Sequence, residues 1–338
     1  MTPIKDTDYL AVSAWLHAME TRLLTPEKVE RLLEAASETE ARKLLTECGY
    51  AEALPLEEAL REHRETLYKE LAAAVPDPRL IELFQLKYDY HNIKAILKAE
   101  RRGISPEAFL LPGGRYDAAQ LQSEWQQEHM FQVSDTARRA AQEAAALLRE
   151  NDPQGADLRL DAACYDEMRT LAEEMKSNFL QGYVRQLIDA ANLRTAVRAS
   201  RSGSSEVLPR ALLEGGSVSP HGIMMTEPGK LGELFGAGAL EKAAALGAAA
   251  AGGGSLTAFE KACDEATDAY LAAARRTPFG EETVLCYLAA VENEITAIRI
   301  IMTGRQAGLS PEMIRSRLRN AGDRKSTRLN SSHQAISY

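Results

Sequence analysis

Residues Asp89–Lys94 read DYHNIK, within the longer stretch YDYHNIKAILKAERRGISPE (Tyr88–Glu107). An acid, an amide three residues later, a histidine between them and a lysine behind suggest site chemistry. The stretch recurs, and the recurrence decides between a site and a scaffold. A second copy, IDAANLRTAVRASRSGSSE, starts at Ile188, and a third, NEITAIRIIMTGRQAGLSPE, starts at Asn293. Aligning Asp89, Asp189 and Glu294 places Asn92, Asn192 and Ala297 three residues on, and Lys94, Arg194 and Arg299 five residues on. Gly103, Gly203 and Gly308 close the three copies. The anchors lie 100 and 105 residues apart, a domain-sized period.

Periodicity says what each copy is. At 100° per residue, Tyr90/Ala190/Ile295, Ile93/Leu193/Ile298 and Leu97/Val197/Met302 fall on one face. Ile96, Ala196 and Ile301 widen it. The acid and amide lie on one flank of this stripe and the basic residue on the other. Each copy is therefore an amphipathic helix with a polar edge, stopped by glycine. The flanks repeat too. LLPGG (Leu110–Gly114) follows the first copy and LLEGG (Leu212–Gly216) the second. Upstream, PLEEALRE, RLDAACYDE and AFEKACDE each set an apolar residue (Leu56, Leu160, Phe259), an acid, and then Ala59, Ala163 or Ala262.

The rest of the chain also reads helical, with Leu, Ala, Glu, Lys and Arg dominant and β-branched runs short. Thr25, Ser105 and Ser310 each precede Pro-Glu and an apolar-periodic run, which predicts three capped helix starts. The fold class is all-α. The expected spans are 1–114, 115–216 and 217–322 for three repeat domains. The segment 323–338, Ser- and Asn-rich without apolar periodicity, reads as a non-native or disordered tail.

Composition narrows the function. The net charge of −9 argues against nucleic acid as the main partner. The four cysteines, Cys48, Cys164, Cys263 and Cys286, are far apart in sequence and form neither a disulfide framework nor a thiolate zinc site. MTPIKDTDYL lacks the apolar core of a signal peptide, and no apolar run is long enough for a membrane span. The six histidines (His17, His63, His91, His129, His221, His333) match no zinc or di-iron spacing. GAGALEK and AAAAGGGS are not phosphate loops and read as a flexible linker. KAERRG and RTAVRASRSG read as solvated basic faces, or as a rim for acidic loops or lipid headgroups. His91 has no counterpart among Ala191 and Thr296, and Lys94 would repel a cation. Asp89, Asn92, Lys94, Asp189, Asn192, Arg194, Glu294 and Arg299 are thus a structural signature, with acid and amide bridging neighbouring helices. No catalytic, cofactor or metal residue is assigned.

The ordered set WLHAMETRLL, VERLLEA, LLTECGY, LKYDYHNIKAILKA, LLPGG, LDAACYDEM, FLQGYVRQLIDAANLRTAVRA, FEKACDEA and TPFGEETVLCYLAAVENEITAIRIIMTGRQAGLSPEMIRSRLR resembles the C-subunit family of V-type and A-type ATPases (ATP synthases). Its eukaryotic counterpart is the V-ATPase d subunit. The resemblance runs from about Tyr9 to Arg319. It implies three similar helical domains with pseudo-threefold symmetry, forming a funnel. It implies a non-catalytic rotor subunit, peripheral on the cytoplasmic face of the membrane, that links the D and F subunits of the central stalk to the membrane rotor ring for torque transmission and ion transport. The third copy departs from Asp-x-x-Asn at Glu294 and Ala297, so the acid–amide role is altered there. Two other readings remain: a helical scaffold for a partner peptide or helix, unrelated to ATPases, and a metal-dependent helical enzyme using Asp89 and Asp189.

Overall fold

The computed structural model describes residues 4–127, 130, 132–236 and 238–318. The expected tail, His129 and His333 lie outside the described residues. Among those described, every regular element is helical. Among the described residues no helix is long and apolar enough to cross a membrane.

Contacts divide the chain into two compact units, one of Leu67–Thr277 with Ile4, the other of Lys5–Thr66 with the chain from Pro278 onward. The chain opens with α1 (Leu10–Met19), α2 (Pro26–Glu34), α3 (Glu38–Thr46) and α4 (Leu56–Ala74). There follow the long α5 (Arg79–Arg102), then α6 (Ala118–Gln126), α7 (Asp135–Arg149) and α8 (Pro153–Glu174), and the long α9 (Asn178–Ser202). Three short helices come next, α10 (Leu208–Ala211), α11 (Pro220–Met225) and α12 (Leu231–Leu234). The described chain ends with α13 (Glu241–Ala251), α14 (Leu256–Ala274), the long α15 (Glu281–Gln306) and α16 (Pro311–Arg317). In the first unit α5 packs on α7 and α8, and α9 on α13 and α14; in the second α15 packs on α1 and α2.

The three repeat copies form α5, α9 and α15, and all three stop in one way. Gly103, Gly203 and Gly308 have φ of 67°, 69° and 69°, the left-handed region open to glycine. In each, the next residue's N–H bonds back into the last turn: Ile104 to Ala99 at 3.0 Å, Ser204 to Ala199 at 2.9 Å and Leu309 to Gly304 at 3.0 Å. The chain is thereby turned off the helix axis at equivalent points.

Two of the three expected capped starts are helices. Thr25 Oγ1 accepts from Lys28 N–H and Ser310 Oγ from Met313 N–H, both at 3.3 Å. Ser105 begins only a 3-10 turn, Glu107–Phe109. Pro112 and the Gly113–Gly114 pair follow too closely for the first full turn to propagate.

The Ala/Gly run is likewise not a linker. Residues 241–251 form α13, and Ala243, Ala244, Gly247 and Ala250 are buried. Alanine has the highest helix propensity, and its small side chain lets α13 approach α9 and α14 closely. A Cβ on Gly247 would sit 3.0 Å from both Phe259 and Val197. Only the following Gly252–Gly254 is a turn, with Gly253 at φ 106°. We expect Gly247→Leu to lower stability by about 1–3 kcal/mol through overpacking, read as a lower thermal midpoint.

Candidate functional site

The repeat signature resolves into three helix–loop junctions. In the first, Asn92 Nδ2 donates to the Leu111 carbonyl at 2.8 Å, and Leu111 N–H donates to Asn92 Oδ1 at 2.7 Å. Asp89 Oδ1 accepts from the N–H groups of Arg115 at 2.9 Å and Tyr116 at 3.4 Å. In the second, Asn192 makes the same two bonds to Leu213, at 2.8 and 2.7 Å. Asp189 Oδ1 accepts from Ser217 N–H at 2.8 Å and Val218 N–H at 3.2 Å. The amide therefore clamps a loop backbone rather than a neighbouring helix. All four side chains are buried, Asp89 and Asn192 with no exposure at all.

This geometry explains the Gly-Gly of LLPGG and LLEGG. Gly113 and Gly215 take φ of 102° and 95°. A Cβ on Gly114 or Gly216 would collide with Oδ1 of Asp89 or Asp189. The first glycine turns the loop and the second lets its backbone reach the carboxylate.

The third junction solves the same problem with other residues. Ala297 offers no amide. The longer Glu294 accepts from Leu24 N–H through Oε2, and from the Tyr50 hydroxyl through Oε1 at 2.7 Å. Leu24 directly precedes the Thr25 N-cap of α2, as Tyr116 and Val218 directly precede the Asp117 and Ser219 N-caps of α6 and α11, so the acid's contact is kept while the amide's clamp on a leucine is not. Its loop runs straight into the Thr25 cap of α2 without a glycine pair, so a longer acid spans the gap.

The basic residues pair in register. Lys94 donates to Asp161 at 2.5 Å, Arg194 to Glu260 at 2.9 Å and Asp264 at 2.7 Å, and Arg299 to Glu57 at 2.9 Å. Glu57, Asp161 and Glu260 are the acids that follow Leu56, Leu160 and Phe259 in the upstream repeat. Near each C-terminal stop an arginine holds the exposed carbonyl end of a shorter helix. Arg101 reaches Leu148 O at 3.1 Å, Arg201 reaches Ala250 O at 3.2 Å, and Arg305 reaches Leu33 O at 2.7 Å and Ala35 O at 2.6 Å. Arg101 and Arg201 of the basic runs thus serve internal contacts.

At the first junction the clamp extends into an ionic network. Arg115 Nε donates to Asp89 Oδ2 at 2.6 Å and its Nη1 to Glu167 at 2.9 Å, while Tyr90 and Ser134 hydroxyls also donate to Glu167. Burial pushes the Asp89 carboxyl up to about 6, against the opposing pull of Arg115. Burial also raises the Asp189 carboxyl from its ordinary value, opposed by its bonds from Ser217 and Val218. Among the described residues no cluster of His, Cys, Asp or Glu could hold a metal ion. His91 meets the Phe109 carbonyl at 3.0 Å and joins no cluster. Burial holds the Cys164 and Cys263 thiols up at about 12, far from thiolate reactivity.

Residues 12–317 match the ATP synthase (C/AC39) subunit family. The chain belongs to this family. It is 24% identical to the C subunit of the A-type ATP synthase of Methanocaldococcus jannaschii, over 92% of this chain and 86% of that protein. It is 20% identical to the C subunit of the V-type sodium ATPase of Enterococcus hirae, over 94% and 99%. The C subunit of the A-type ATP synthase of Pyrococcus horikoshii is 27% identical over 64% and 63%. The chain is accordingly a non-catalytic V/A-type ATPase subunit.

Two features of this ATPase subunit escape a reading of repeats in chain order. The loop that the third acid holds lies upstream of every repeat helix, at Leu24, so a search downstream of α15 passes it by. The acid–base pairing joins two repeated positions 66 or 67 residues apart, except that Arg299 and Glu57 are 242 apart. A search that treats the repeat order as circular would find both.

Magnitudes rank these contacts. Asn192→Ala orphans a buried N–H and a buried carbonyl and is expected to cost about 2–4 kcal/mol in urea unfolding. Lys94→Ala removes a partly exposed ion pair and is expected to cost less than about 1 kcal/mol. Glu294→Asp is too short for Leu24 and is expected to lower the urea midpoint; an unchanged midpoint would contradict the contact.

Proposed function

We propose that this chain is the rotor adaptor of its ATPase, joining the central stalk, made of the D and F subunits, to the membrane rotor ring on the cytoplasmic face. In this reading three similar helical domains with pseudo-threefold symmetry make a funnel. The spans 1–114, 115–216 and 217–322 are its repeats, and the N-terminal segment supplies the third repeat helix with its loop. The observation that carries the reading is one helix–loop junction used three times, in a chain whose relatives are C subunits of A-type and V-type ATPases.

The physics fits a mechanical part. A ring offers many equivalent loops, and a central stalk is one asymmetric object. A rigid wall repeated three times can meet both. Buried backbone clamps resist shear better than exposed ion pairs, whose interaction is screened. Polar interfaces of moderate size hold a partner and still release it. Catalysis, cofactor and metal have no part in this role, and Asp89, Asp189 and Glu294 serve as clamps.

In cells lacking this chain, the soluble head is expected to hydrolyse ATP at normal rates while ATP-driven ion uptake into membrane vesicles is lost. Uptake that persists in the deletion strain would contradict the adaptor role. Cross-linking in the assembled complex is expected to join this chain to stalk and ring subunits.

A further inference from the structure

Two of the three junctions are closed by neighbouring sequence. Asn92 holds Leu111 and Asn192 holds Leu213, 19 and 21 residues away. The third is closed between opposite ends of the chain. Glu294 holds Leu24, 270 residues away. The unit formed by Lys5–Thr66 and the chain from Pro278 is discontinuous, and its two halves meet only through non-covalent contact.

At the junction of this unit the amide position is an alanine, Ala297. One carboxylate replaces an acid–amide pair, so the two-way clamp on a leucine backbone has no equivalent at Ala297. The Arg299–Glu57 and Arg315–Glu30 pairs are substantially exposed, with side-chain exposures of 38% and 64%, and 38% and 48%. Exposed pairs of this kind add little. Better buried are the contact of Arg64 with Glu292 at 2.8 Å and the bonds on Glu294. Beside them stands the apolar face of α15, including Val291, Ile295 and Ile298, against the N-terminal helices.

We propose that this unit is a latch. It opens and recloses as one cooperative piece, with Glu294 as its catch, while Leu67–Thr277 stays folded. Proteins open in cooperative pieces whose stabilities differ, and this piece joins two ends of the chain through its own contacts. The N-terminal segment and α15 then lose protection together, although they are far apart in sequence. The proposal stands independently of the rotor role.

Hydrogen exchange of the full chain, read by mass spectrometry, tests it. In the unaltered protein across a guanidinium series, peptides from 10–50 and 281–306 are expected to share one opening, reached at lower denaturant than peptides from 79–102 and 178–202. Glu294→Gln is expected to speed exchange about tenfold in the first pair and leave the second unchanged. Asn192→Ala is expected to act on 178–218 instead. The latch is overturned if the N-terminal and 281–306 peptides open separately, or if all regions open together. It is overturned equally if Glu294→Gln leaves the N-terminal peptides unchanged.

Discussion

A buried acid on a long helix, reaching the backbone of a loop that has left helical structure, is the interaction on which this fold depends. Each partner solves the other's problem. A buried carboxylate or amide is costly without hydrogen bonds, and so is a loop backbone that enters the core. At Asp89–Asn92 and Asp189–Asn192 the helix supplies acceptors and a donor, and the loop supplies their complements. The glycine stop of the same helix turns the chain toward that loop. The position of the loop then fixes where the following helices begin, so α8 and α14 arrive with Asp161 and Glu260 beside Lys94 and Arg194.

The junctions are equivalent in logic and different in chemistry. The first adds Arg115 and Glu167 to its aspartate. The second holds Asp189 by the N–H groups of Ser217 and Val218. The third exchanges Asp-x-x-Asn for Glu294 with Ala297 and recruits Tyr50. A change of loop explains a change of acid: without the glycine pair the backbone stops farther off, and one more methylene reaches it.

Much of the frame was legible in the residues. The helical stripe of Ile93, Leu193 and Ile298, the glycine stops and the acid–amide edge follow from spacing alone. The objects of those side chains did not follow, because a hydrogen bond to backbone leaves no residue type to recognise. Leu111 and Leu213 are clamped through N–H and C=O groups that every residue but proline carries. The Ala/Gly run misled for a related reason. A run of small side chains resembles a linker, but in α13 it reflects close approach to α9 and α14, which Gly247 makes visible only in three dimensions. Ser105 misled in the other direction, since a good cap cannot extend a helix into Pro112.

At every junction a buried polar side chain of the long helix holds a loop leucine N–H: Glu294 that of Leu24, Asn92 that of Leu111 and Asn192 that of Leu213. Amide exchange of the intact protein labelled with 15N-leucine measures these clamps directly. The three N–H groups are expected to exchange at rates typical of helix interiors. A loop-like rate at any one of the three would contradict the clamp at that junction.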